Sequence, residues 1–532
     1  MRSLLATGAL GVALLGIGTA HASGPASTVP VTQQESASAE VTVMSRNLYF
    51  GADVASGMAR LPDTSSVVQY LWDASKATAF DKRVDRLVAE LTRYGPMAVG
   101  VQEATVWTCR NGFFGKRVEV SDTLTELEEA TAASGLGYRV AEVGGNLAYN
   151  PNVEVPPIAP LTTVKDPQEF QPLFGSDTAA CGFQLADAVL VREDLADSVT
   201  AVGNTEFVDV EALVPLVLNA EHGFAWADLD VGETVRLVST QLSGDTPDDR
   251  VPVRVSQAQQ LADDLAGGPR TIIMGDLASD PYQPRSLPGE QAPLVDPEVC
   301  PVQPEPPTAK TADATCNAYW TLVRAGFANA GPSTSNPKAL TWGSDATLAG
   351  PDVDRVRQAL ALGNKWGFTQ RYDYVLHSDG LDPASARVIG NVWPKSFANW
   401  ACDSPSQVQN TNTLLEILGD YGFERDVVNE GICLPSNHAG LVATLALSEQ
   451  ADVGTAIPET HERGWLSPLW AIGLTLLALL LVAVVWILWS LISWLVHRMD
   501  SGEAEPEPES GSAQAEEPAD GKTSEESTHR EL

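Results

Sequence analysis

The chain has 532 residues, 44% of them hydrophobic, and a formal net charge of −36. This length allows one large domain with appendages, and an acidic field repels nucleic acid and anionic lipid at long range, which argues against a processive DNA-binding enzyme. A cation-screened phosphate site stays open, because a bound metal dominates the charge of its own pocket.

The N-terminus reads as a secretory signal. Arg2 is followed by an apolar run from Leu4 to Ile17, and Ala20-His21-Ala22 has the small-x-small form of a cleavage site. Residues 1–22 are therefore expected to be removed, leaving a flexible polar lead over 23–40 and a folded domain over 41–450. Val41–Met44 reads as a strand. Asp81–Tyr94 reads as a helix, with Val84, Leu87, Val88 and Leu91 on one face and Gly95 placed to end it. Met97–Val101 is a short apolar strand, and Thr123 with Glu126 has the spacing of a capping box opening a second helix. Further strands are expected at Tyr138–Val143, Ala186–Arg192, Phe224–Leu229, Val235–Thr240 and Thr271–Met274, with a helix at Ser256–Leu265. The stretches Pro151–Pro172 and Pro281–Pro307 are too rich in proline for regular structure and read as loops.

After a linker at 451–464, Leu466–Val496 carries no charged residue. Crossing a hydrocarbon core of roughly 30 Å takes about 20 apolar residues. Trp465, Trp470 and Trp494 lie near its ends, where indoles favour the headgroup region. A transmembrane helix is expected over 465–497. Residues 498–532 are rich in Glu, Pro, Ser and Gly and cannot bury enough surface to fold. A cleaved signal puts the main domain outside and the acidic tail in the cytoplasm. The six cysteines, an even count in an exported chain, suggest disulfides. Order and proximity favour Cys300–Cys316 and Cys402–Cys433, leaving Cys109–Cys181.

Six short segments carry the chemistry: Ser45-Arg46-Asn47-Leu48, Val101-Gln102-Glu103, Ser239-Thr240-Gln241-Leu242, Gly275-Asp276-Leu277-Ala278-Ser279-Asp280, Arg371-Tyr372-Asp373-Tyr374 and Ser436-Asn437-His438. In order and neighbourhood they resemble the endonuclease/exonuclease/phosphatase superfamily. The resemblance implies a four-layered α/β sandwich, two packed mixed sheets flanked by helices, to which the C-terminal transmembrane helix is added. It also implies a phosphoester hydrolase dependent on Mg²⁺ or Mn²⁺. Asn47 and Glu103 match the metal-holding pair, and Asn437 stands at a further metal-side position. Asp373 matches the carboxylate that orients the catalytic His438, and Asp276 the acid beside the attacking water. Gln241 stands where the family has a phosphate-binding His, Ala278 where it has Asn, and Asn437 where it has Asp.

Gln241 can donate a neutral hydrogen bond but cannot move a proton, and charge-assisted bonds are roughly twice as strong as neutral ones. The expectation is thus an exported, membrane-anchored hydrolase with impaired activity. The alternative is a catalytically inactive binding or scaffold module, a pseudoenzyme, on the same fold. With this charge, a phosphoester small molecule or a lipid head group is expected as substrate ahead of nucleic acid, with the membrane reached through the chain's own helix.

Overall fold

The computed structural model describes residues 39–52, 54–214, 218–244, 250–282, 303, 306–343, 368–391 and 434–448. The expected signal peptide, linker, membrane span and tail lie outside these residues. So do Cys300, Cys402 and Cys433, and with them the two pairings drawn for those cysteines. Among the described residues no helix is long and apolar enough to cross a membrane.

Two sheets pack face to face. The nine-stranded sheet runs Leu381–Ile389, Gly440–Leu447, Glu40–Asn47, Ala98–Arg110, Thr178–Arg192, Tyr138–Val140, with Arg117–Asp122, Tyr149–Val155 and Thr163–Lys165 paired on its flank. The six-stranded sheet runs Val199–Glu206, Gly223–Asp230, Thr234–Gln241, Arg270–Asp276, Asp373–His377, Ala328–Asn329. Each sheet has one parallel pair at its centre, Glu40–Asn47 with Ala98–Arg110 and Thr234–Gln241 with Arg270–Asp276, among antiparallel neighbours.

Side-chain alternation assigns the layers, because successive residues of a strand point to opposite faces. Val41, Val43, Val235, Leu237, Ile272 and Met274 fill the space between the sheets. Their neighbours turn outward: Met44 meets Val84, Leu87 and Leu91 of the helix Phe80–Tyr94. Val238 and Ile273 meet Ala258, Leu261 and Leu265 of the helix Arg250–Leu265. Helix, sheet, sheet and helix thus form four layers, as expected for the folded domain. The sheets approach closely at Gly100, where an added Cβ would lie 2.6 Å from Met274 Cβ.

A disulfide joins Cys109 to Cys181 across directly paired positions of two antiparallel strands. Beyond it the chain turns through a hairpin tip, Arg110 to Arg117, in which Phe113 is 58% and Phe114 94% exposed. Cys316 is also disulfide-bonded.

Three local expectations are corrected. The helix Thr123–Ala133 is capped by Asp122, whose carboxylate accepts from the Leu124 and Thr125 amides, and not by Thr123. An aspartate one residue earlier satisfies the same unpaired N–H groups. The strand expected over Tyr138–Val143 breaks at Ala141, because Gly144-Gly145 folds Glu142–Val143 back onto Asn146–Leu147. The proline-rich stretch 151–172 holds strands at Tyr149–Val155 and Thr163–Lys165 and most of the helix Pro167–Phe174. Pro151 sits at an irregularity of its strand, and Pro167 opens a helix where no N–H is needed.

Candidate active site

The two parallel pairs carry four of the six segments, and the other two lie at the starts of the neighbouring antiparallel strands Asp373–His377 and Gly440–Leu447. Gln241, Asp276 and Asp373 lie side by side in one register row of the six-stranded sheet. Asn47 and the neighbours of Glu103 end the parallel pair of the other sheet. His438 stands on the segment leading into Gly440–Leu447.

Glu103 reaches the site through a bulge. The pairing of Ala98–Arg110 with Thr178–Arg192 slips between Val101 and Ala104, and Glu103 takes a φ of +55°. An extra residue in one strand re-aims a side chain. Gln102, beside it, donates from Nε2 to Ser239 Oγ at 3.0 Å and to the Met274 carbonyl at 3.1 Å, while Ser239 Oγ donates to the Val101 carbonyl at 2.8 Å. These bonds tie the two sheets directly below the site.

Four side chains form a closed ring. Asn47 Nδ2 donates to Glu103 Oε1 at 2.9 Å and to Asp276 Oδ2 at 3.2 Å. Gln241 Nε2 donates to the same Glu103 oxygen at 3.0 Å and lies 3.5 Å from the same Asp276 oxygen. The other Glu103 oxygen accepts from the Phe50 amide at 2.7 Å. Asn47 Oδ1 accepts from the Tyr49 amide at 2.8 Å, which fixes which way its amide points.

His438 completes the site. Its Nδ1 lies 3.0 and 3.2 Å from the two oxygens of Asp373, and its Nε2 lies 3.6 Å from Asp276 Oδ2. Arg46 donates to the His438 carbonyl at 2.6 Å, and the His438 amide donates to Ser436 Oγ at 3.1 Å. Thr341 Oγ1 accepts from the Tyr372 and Asp373 amides, and Trp342 stacks on Tyr372 with ring centroids 5.0 Å apart. Burial alone would lower the His438 pKa, but Asp373, Asp276 and Glu103 together raise it to about 9. Burial is the main cause that raises Asp276 to about 6, against the opposing pull of His438.

Asp276 Oδ1 accepts from the Ala278 amide at 3.0 Å, closing a tight turn in which Ala278 has a φ of +44°. An alanine is disfavoured in that left-handed region, which asparagine enters more readily. Asn437 lies beside His438 on the same buried segment.

Asn47, Glu103, Gln241, Asp276, Asp373 and His438 thus converge. Two supporting residues escaped the sequence reading. Asp187 is fully buried, and one of its oxygens accepts the Gln241 backbone N–H at 2.9 Å. Burial pushes its pKa well above the ordinary aspartate value. The available signal was a lone acid inside the apolar run Ala186–Arg192. Arg83 is likewise buried, donating to the Thr78, Leu48, Tyr49 and Pro435 carbonyls and so binding the segment after Asn47 to the one before His438.

Glu103, Asp276 and His438 offer ligand atoms within 4.8 Å of one another. Carboxylate and amide oxygens suit hard divalent cations. Several carboxyl groups share this buried pocket with one imidazole, an arrangement that a cation would balance.

No family model matches the sequence, and no curated protein matches it. In fold, the chain is similar to solved structures of endonuclease/exonuclease/phosphatase proteins. One from Beutenbergia cavernae is 14% identical, with a TM-score of 0.40 over 77% of this chain and 72% of that one. One from Leptotrichia buccalis is 11% identical, with a TM-score of 0.38 over 76% of this chain and all of that one (100%). A mannosyl-6-phosphatase from Bacteroides thetaiotaomicron is 12% identical, with a TM-score of 0.36 over 76% of this chain and 100% of that one.

Proposed function

We propose that this chain is a divalent-cation-dependent hydrolase of phosphoric esters, slowed by its substituted positions. The observation that carries the reading is the buried chain of contacts Asp373–His438–Asp276 beside Glu103. Glu103 and Asp276 would hold Mg²⁺ or Mn²⁺, with Asn47 orienting both carboxylates. When bound, the cation would neutralise charge on the phosphoryl oxygens.

The chain's own groups do the rest. Asp373 fixes the His438 ring and keeps it charged, so that Nε2–H can donate to a phosphoryl oxygen. Asp276, its other oxygen held by the Ala278 amide at 3.0 Å, would align an attacking water beside His438. Ala278 adds no side-chain donor beside Asp276, and Gln241 supplies a neutral contact in place of an imidazole.

The test is release of an aryl leaving group from phosphomonoester and phosphodiester probes, with Mg²⁺ or Mn²⁺ and with chelator. Cation-dependent turnover by the wild type, lost by at least about 100-fold in Glu103→Ala and His438→Ala, is the expected result. Turnover unchanged in both variants would refute it.

The inactive scaffold is the second reading, favoured by Gln241, Ala278 and Asn437. It predicts no wild-type turnover, and recovery in the combined Gln241→His, Ala278→Asn, Asn437→Asp variant. A phosphoester small molecule or lipid head group fits the acidic chain better than nucleic acid does. Export and anchoring through 465–497 are part of the same proposal. Protease added to intact cells should remove the main domain and leave the tail protected, and the reverse pattern would overturn this topology.

A further inference from the structure

We propose that Gln241 is itself a ligand of the cation, through its side-chain oxygen, and turns its amide over when the cation binds. The inference rests on the cation-dependent reading above and goes beyond the role of phosphate contact given to Gln241 by resemblance.

The two amides of the ring differ in freedom. Asn47 cannot reverse, because its Oδ1 is engaged by the Tyr49 amide at 2.8 Å and reversal would set that oxygen against the Glu103 and Asp276 carboxylate oxygens and an N–H against the Tyr49 amide. Gln241 Nε2 bonds to Glu103, but no hydrogen bond to Gln241 Oε1 is seen among the described residues. A half-turn of the terminal amide exchanges its nearly isosteric nitrogen and oxygen. Without a cation, the nitrogen faces the two carboxylate oxygens, because an oxygen there would be repelled. With a cation between the carboxylates, the preference reverses, since the oxygen becomes a ligand.

The distances permit the exchange without movement of the backbone. Mg²⁺ holds oxygens at about 2.0–2.1 Å in octahedral geometry, so adjacent ligands stand roughly 2.9–3.0 Å apart. The Gln241 amide terminus stands 3.0 Å from Glu103 Oε1, which serves as a hydrogen-bond length now and as an octahedral edge after the flip. Ca²⁺, with bonds of about 2.3–2.6 Å, would need wider edges. The backbone is already pinned: the Gln241 N–H is held by the buried Asp187 at 2.9 Å, so only the side chain need turn. On this account the residue that cannot do the work of a histidine adds a hard oxygen to a site made of hard oxygens.

The test is isothermal titration of the cation-free full-length protein with MnCl₂ and MgCl₂, beside Gln241→Ala, Gln241→Glu and Gln241→His. The expected result is affinity lowered by at least about tenfold in Gln241→Ala, the lower end of what loss of groups around a metal costs. Gln241→Glu, which keeps the size and offers a charged oxygen, should bind more tightly than the wild type. Its tighter binding also shows that the site tolerates substitution without misfolding. Affinity equal to or above wild type in Gln241→Ala would overturn the inference, showing the amide to be a bystander or a competitor of the cation. If the wild type itself binds neither cation, the cation-dependent reading fails as well. Wild-type binding with an unaffected Gln241→Ala sinks this inference alone.

Discussion

At the scale of single residues, the site is a set of charges that burial would separate and neighbours hold together. His438 is raised from an ordinary 6.5 to about 9, so its contribution to stability is fully present below pH 6.5 and is lost as pH rises through 9. Asp276 is raised from 3.8 to about 6, and its sign is the opposite of a paired surface acid: its burial disfavours folding increasingly as pH rises from about 4 to 6. Without a cation the protein should therefore lose stability in two steps as pH increases. Urea midpoints in chelator should fall between pH 6.5 and 9 in the wild type and fall less in His438→Gln. Equal slopes would show that the imidazole is not held charged. The charged residues of the motifs were legible in sequence because each occupies a recognisable neighbourhood. Asp187 was not, since its role depends on Gln241, 54 positions away in the chain.

At the scale of elements, alternation and periodicity carried most of the reading. The run Thr271–Met274 lacks alternation, as befits a strand buried on both faces, and the strand extends over Arg270–Asp276. The helix Phe80–Tyr94 ends at Gly95 with a φ of +53°, as a left-handed cap requires. What sequence could not show was the bulge that aims Glu103, because a slip in pairing is a relation between two strands. The helix Pro167–Phe174 was missed because it holds two prolines: Pro167 suits a first turn, but Pro172 lies inside the helix, where proline is normally excluded. Gly100 connects element to site. With Met274 Cβ 2.6 Å from where its own Cβ would be, Gly100→Ala must push the sheets apart. We expect a loss of about 1–3 kcal/mol in urea unfolding, typical of overpacking, together with weaker cation binding. An unchanged midpoint would mean that the sheets yield freely at this point.

At the scale of the whole molecule, the site belongs to neither sheet. Asn47, Glu103 and His438 come from one side and Gln241, Asp276 and Asp373 from the other, with Gln102 and Ser239 bonded across the gap. The four-layer arrangement was legible in the sequence because the order of the motifs carried the resemblance. The side-chain ring could not, because it depends on how two sheets are spaced. The well-exposed aromatic tip Phe113-Phe114 stands at the far end of a strand whose paired Cys109 is bonded to Cys181. A chymotrypsin cut after Phe114 would leave Cys109 on one fragment and Cys181 on the other. The nicked protein should therefore migrate as one band without reductant and as two with it, a covalent record that the hairpin was open to solvent while the strands beneath it stayed joined.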